Sequence, residues 1–194
     1  MRQLDYDAVL LGSSMVQNCR TGWFDEALGA KTLKLTYSSG YLPQYGMTLD
    51  LIYSLQGLDY VFLNLDIYTL RDGSDYTYYE NPPYLYDNNR WNDVSYLLNR
   101  DVLMDVLPSY VRHQGDHVPL DDAFAYEDRA VFSREVVLAA HRAWLDSHPQ
   151  QAAMLPRDAY YEALTSSLAK VSGYIEAHPE TAYYVFLPPY SILN

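Results

Sequence analysis

The sequence predicts a three-layer α/β fold around a parallel sheet, and three observations carry that prediction. Short apolar runs recur along the chain, stretches with apolar residues at helical spacing separate them, and the first run ends in a Gly-Ser-Ser turn. Strands that alternate with helices imply parallel pairing through right-handed crossovers.

The elements follow in order. Asp7 to Leu11 (DAVLL) reads as a buried strand running into the turn Gly12-Ser13-Ser14. Thr21 is placed to cap a helix over Trp23 to Leu28, with Gly29 as its stop. Thr32 to Thr36 (TLKLT) alternates as a second strand, and Ser38-Ser39-Gly40 follows as a loop. Pro43 to Leu55 carries the next helix, ended by Gly57. Tyr60 to Leu65 (YVFLNL) has the continuous apolar character of a strand covered on both faces. Asp66 to Pro156 then interrupts the alternation and reads as an insertion, forming a lid or cap over the sheet edge. Its first part is rich in Tyr, Asp, Asn and Pro, with Pro82-Pro83 forbidding a helix. Asp93 to Val106 and Ser133 to Leu145 are expected to be helical, the second capped by Ser133. Arg157 to Ala177 is an amphipathic helix, and Ala182 to Leu187 (AYYVFL) a fourth strand. The reading is one domain over residues 1–194, with no helix after the last strand, as in a domain whose C-terminal part is missing.

Composition narrows the function. With 49% hydrophobic residues among 194, the chain can bury a sizeable core. A net charge of −12 with 13 Lys and Arg argues against nucleic acid or an anionic membrane as partner, because both need clustered cations. No apolar run reaches the roughly 20 residues a membrane span requires. Cys19 is the single cysteine, so no disulfide forms within the chain, and a small packed residue at a helix start is the reading preferred for it over a reactive thiol. Tyrosine is unusually frequent, 21 residues, much of it between Tyr68 and Tyr96. Such rings with polar tips suit a half-buried scaffold, a wet interface or a sugar-lined cleft.

Ligands of open parallel sheets bind at the carboxyl ends of the strands. Three loops converge there: Gly12 to Met15, Ser38 to Gly40, and Asn64 to Asp66. A serine held on a strand-to-helix turn, with backbone amides nearby, has the geometry of a nucleophile beside an oxyanion hole, and Ser14 is the candidate. An ordinary turn or helix cap is the competing reading of the same residues.

The stretch YDAVLLGSSM, the YSSG loop and VFLNLDIY, together with PPYLYDNNRWNDVSYLLNRDVL and FLPPYSIL, resembles a group of SGNH/GDSL-type hydrolases of Gram-positive gut bacteria over nearly the whole chain. The resemblance implies the flavodoxin-like SGNH variant of the fold, with Ser14 as nucleophile and Gly40 in the oxyanion hole. It also implies an asparagine in the third motif, where this chain reads Asn64-Leu65-Asp66. An ionised Asp66 would repel a developing oxyanion, and Asn64 lies two residues back along the strand. The family's catalytic Asp and His stand in a DxxH-like motif beyond the last strand, whereas this sequence ends at Asn194 without one. A serine without a base keeps its proton. His117, beside Asp116 in the HQGDH segment, is the best local substitute among the five histidines. Weak or absent esterase activity is therefore expected.

Other constellations carry less. His113, Asp116 and His117 have zinc-compatible spacing without a fixed scaffold, and Asp72, Asp75 and Glu80 lack the calcium-loop pattern. No metal and no cofactor is expected. The function expected from the resemblance is a serine esterase or acyltransferase acting on an O-acylated carbohydrate or cell-surface polymer, so the partner is a small-molecule or glycan ester. The alternatives are a non-catalytic glycan- or protein-binding module, with Tyr76, Tyr78, Tyr79, Tyr84 and Tyr86 as stacking residues, and an inactive fragment. An extracytoplasmic, membrane-anchored location is implied by the resemblance alone.

Overall fold

A computed structural model describes residues 4–80, 82–87, 89, 91–112, 121–122, 133–147 and 156–188. Among them four strands form one sheet: β1 (Ala8–Ser13), β2 (Thr32–Tyr37), β3 (Tyr60–Asn64) and β4 (Ala182–Phe186). Their order is β2-β1-β3-β4 and every pairing is parallel. Ala8 lies beside Thr32 on one side and Tyr60 on the other, so β1 is central, and all six of its residues are buried. The chain moves outward from β1 to β2 and then returns across it to β3. That reversal makes the carboxyl ends of β1 and β3 the switch point of the sheet, where a crevice opens in folds of this kind.

Side chains alternate across the sheet, and each face has its own helical cover. Val9, Leu11, Val61 and Leu63 face α2 (Leu42–Leu55), whose Leu42, Tyr45, Leu49 and Ile52 complete the larger core cluster with Val171 of α7 (Tyr161–Ala177). Ala8, Leu10 and Phe62 face the other way, toward α1 (Thr21–Leu28), where the Phe24 ring sits 4.4 Å from that of Phe62. Helices on both faces of a parallel sheet give the expected three-layer, flavodoxin-like α/β arrangement. β4 is less covered: Tyr184 and Val185 are 47% and 42% exposed.

The boundaries differ from expectation in instructive places. β1 runs through Ser13, so the turn opens at Ser14 rather than Gly12. Gly29 ends α1 as expected, in the left-handed conformation with φ 69° that glycine adopts without strain. Thr21 is not the cap of α1 but its first helical residue, because the acceptor for its N–H comes from Asp121, 100 residues away. A five-residue helix, α3 (Ile67–Arg71), follows β3 directly and packs against α7. The helix expected over residues 93–106 is broken into α4 (Val94–Leu97) and a π-turn over Val102–Val106 that leads into α5 (Leu107–Arg112). The break falls where Asn99 Oδ1 accepts from Asp101 N at 2.8 Å, a side chain competing with the helix for a backbone donor. Pro83–Leu85 makes a single 3-10 turn. α6 (Arg134–Ser147) begins as expected after Ser133, whose Oγ accepts from Val136 N at 3.2 Å. Among the described residues no helix is long and apolar enough to cross a membrane.

Candidate functional site

The end of β1 is built around an absent side chain. A Cβ on Gly12 would lie 2.6 Å from Asn64 Cβ and 2.9 Å from Val16 Cγ2, so glycine lets β1 and β3 close up at the switch point. Ser13 is 2% exposed and its Oγ accepts from Met15 N at 3.1 Å, capping the 3-10 turn Ser14–Val16. The two serines thus separate in role. Ser13 fastens the turn, and Ser14, half-buried at its first position, lines a cleft of about 190 Å³.

Ser39, Gly40 and Tyr41 from the loop after β2 line the same cleft, as do Asp66, Tyr68 and Thr69 from the start of α3. Gly40 is packed so that a Cβ would come within 2.8 Å of Tyr37 Cβ and of Tyr45 Cε1. Its carbonyl accepts from Tyr45 Oη at 3.2 Å and from Thr69 Oγ1 at 3.4 Å, which ties this loop to α2 and α3. Ser39 has φ 53°, a left-handed backbone that costs a non-glycine residue about 1–2 kcal/mol. Strain of that kind persists where surrounding contacts over-determine the backbone.

Asn64 and Asp66 part company. Asp66 is buried but reaches the cleft, and its carbonyl starts α3 by accepting from Leu70 N at 3.2 Å. Asn64 is 0% exposed beneath Gly12, and neither atom of its amide has a hydrogen-bond partner among the described residues. A buried polar group left so costs about 1–3 kcal/mol. Of the two, the residue facing the cleft is therefore the carboxylate.

Tyr41 and Tyr68 form the rim and were not singled out from sequence. Tyr41 Oη donates to Asp72 Oδ2 at 3.1 Å, and burial together with that carboxylate pushes its hydroxyl up to about 12. Arg71 Nε donates to Asp72 Oδ1 at 2.6 Å and holds the Asp72 carboxyl below its ordinary value, with help from the Tyr41 hydroxyl. The same guanidinium lies 4.7 Å over the exposed Tyr68 ring. A sequence signal existed in retrospect: both tyrosines flank the loops already assigned to the site.

The other sequence candidates lie apart from Ser14. His178 stacks on Tyr53 at 3.5 Å, His141 stacks near Trp144, and neither lines the cleft. His113, His117 and His148, with Asp116, fall outside the described residues. Of the tyrosine cluster, Tyr76 meets the rim, its ring edge-on to Tyr41 at 4.8 Å. Tyr78 and Tyr79 are exposed but set edge to face at 79°, Tyr84 is half-buried, and Tyr86 Oη bonds Tyr37 Oη at 3.0 Å within the scaffold. Asp72 and Asp75 are paired with Arg71 and Lys170, and among the described residues no three His, Cys, Asp or Glu side chains are grouped to hold a metal. Cys19 is half-buried against the smaller core cluster, and burial raises its thiol above the ordinary value.

Lys34 is the feature that sequence reading passed over. Its side chain is 2% exposed, yet Nζ donates to the carbonyls of Gln17, Cys19 and Asp121 at 2.8, 3.1 and 2.7 Å. In TLKLT it reads as the outward residue of an alternating strand, and only the fold shows what covers it.

No protein-family model, curated protein or solved structure matches the chain.

Proposed function

We propose that the cleft is the acyl-transfer site of an SGNH-like serine esterase or acyltransferase, with Ser14 as nucleophile and an O-acylated carbohydrate or cell-surface polymer as substrate. The observation that carries this reading is the convergence of Ser14 and Gly40 in one cleft at the switch point of a parallel sheet, with Asp66 as the departure from the family pattern. In the proposed step Ser14 Oγ bonds to the ester carbonyl carbon, the bond to the sugar oxygen breaks, and that oxygen leaves with a proton as the free alcohol. Water or a second hydroxyl then takes the acyl group from Ser14. The serine proton needs an acceptor, and by the family pattern this is an imidazole. Among the described residues the cleft has none, and His117 is the histidine to test.

The test is labelling by a fluorophosphonate together with hydrolysis of p-nitrophenyl acetate. Slow hydrolysis and single-site labelling are expected, both lost in Ser14→Ala, with His117→Ala slowing both if that imidazole is the base. A wild-type chain that neither labels nor hydrolyses sinks the catalytic reading and leaves a binding cleft.

A further inference from the structure

The segment joining the Ser14 turn to α1 is fastened from two sides. From within the sheet comes Lys34 of β2, whose ammonium has three protons and meets three carbonyl oxygens, those of Gln17, Cys19 and Asp121. Asp121 Oδ1 lies 3.4 Å from the same nitrogen and supplies the opposite charge. From outside comes the rest of the Asp121 carboxylate. Its Oδ2 accepts from Thr21 N at 2.9 Å and from Thr21 Oγ1 at 2.8 Å, capping the first turn of α1. Next to it, Arg20 Nη1 pairs with Asp122 Oδ1 at 3.2 Å.

We infer that Lys34 and Asp121 form a clasp that positions Ser14, an inference that rests on the nucleophile reading above. The chain of contacts is short. Gln17, held by Lys34 through its carbonyl, donates its own N–H to Ser14 O at 3.2 Å, and Cys19, held the same way, donates to Val16 O at 3.0 Å. Two of the three carbonyls that the ammonium fixes therefore belong to residues whose amides fix the Ser14–Val16 turn, and the third belongs to Asp121. Neither Lys34 nor Asp121 lines the cleft, so the two act through the backbone of that turn. Asp121 lies between β3 and α7 in the sequence, so the clasp also ties a residue 100 positions beyond Thr21 to the Ser14 turn.

Stability alone is a weak reason for such an arrangement. A buried ion pair commonly contributes little over a well-packed apolar pair of the same shape, although removing one partner is costly. What the clasp adds is placement, and a misplacement of about 1 Å can slow a reaction about a hundredfold.

The test measures the fluorophosphonate labelling rate of Ser14 in wild type, Lys34→Met, Asp121→Ala and Asp121→Asn, each confirmed folded by circular dichroism. Hydrogen exchange over residues 14–28 is followed in parallel. Asp121→Ala and Lys34→Met are expected to label about tenfold more slowly or worse, with faster exchange centred on residues 15–22. Asp121→Asn keeps an acceptor for the Thr21 N–H and should recover most of the rate. Labelling that tracks only the folded fraction, with no further loss in the variants, overturns the inference. If Lys34→Met does not fold, Asp121→Ala carries the comparison. Should wild type fail to label, the nucleophile reading falls by itself and exchange decides the clasp: unchanged exchange in Asp121→Ala overturns it, and faster exchange confined to the turn supports it.

Discussion

Single residues at the rim carry a pH dependence whose sign follows from the contacts. The Arg71 guanidinium, bonded to Asp72 at 2.6 Å, lowers the Asp72 carboxyl from 3.8, and the Tyr41 hydroxyl adds to the effect. A carboxyl lowered in the folded state stabilises that state above its unfolded value and loses the contribution as pH falls through the folded one. Asp72→Asn should therefore reduce the melting temperature at pH 7, and the gap from wild type should close below pH 3.8. Thermal melts of both proteins at pH 7 and pH 3 check this, and a gap that persists undiminished at acid pH would contradict it. Lys34 shows how far such assignments were open to sequence reading. Ser14, Gly40 and Asp66 stood on loops whose meeting follows from strand order, and they do meet. A lysine between two leucines in a strand carries no mark of burial, since the groups that desolvate and satisfy it come from residues 17, 19 and 121.

Elements were legible where an apolar run or a period was long enough to stand out. β1 and β3 showed as continuous apolar runs, β2 as an alternating one and α2 by helical spacing, and all four fell near their expected places. α3, five residues between Asp66 and Asp72, is too short to show one. The start of α1 depended on a distant carboxylate that local reading could not supply. Contacts between elements follow their own chemistry. Tyr183 of β4 and Tyr53 of α2 share a hydrogen bond of 2.7 Å, Tyr53 donates to Thr181 Oγ1, and Thr181 donates to Leu58 O. Because Tyr53 spends its proton on Thr181, the proton between the two tyrosines belongs to Tyr183. Tyr183→Phe removes that donor and should cost about 0.5–1.5 kcal/mol by urea unfolding. No loss would mean that solvent replaces the bond fully.

At the scale of the whole molecule, the three strands nearest the N-terminus and the clasp belong to different ranges along the chain. β1, β2 and β3 pair within the first 64 residues, whereas Thr21 and Asp121 are separated by 100. Closing a long loop carries an entropy cost that rises with the logarithm of its length, and distant contacts form slowly for that reason. Refolding should accordingly protect the amides of β1, β2 and β3 before Ser14 regains its full labelling rate. Pulsed hydrogen exchange over those three strands alongside quenched labelling would expose the order, and simultaneous recovery would refute it. The contact that seals the Ser14 turn then acts as a checkpoint in time: the turn is set only by the arrival of residue 121, after β1, β2 and β3 have had the chance to pair.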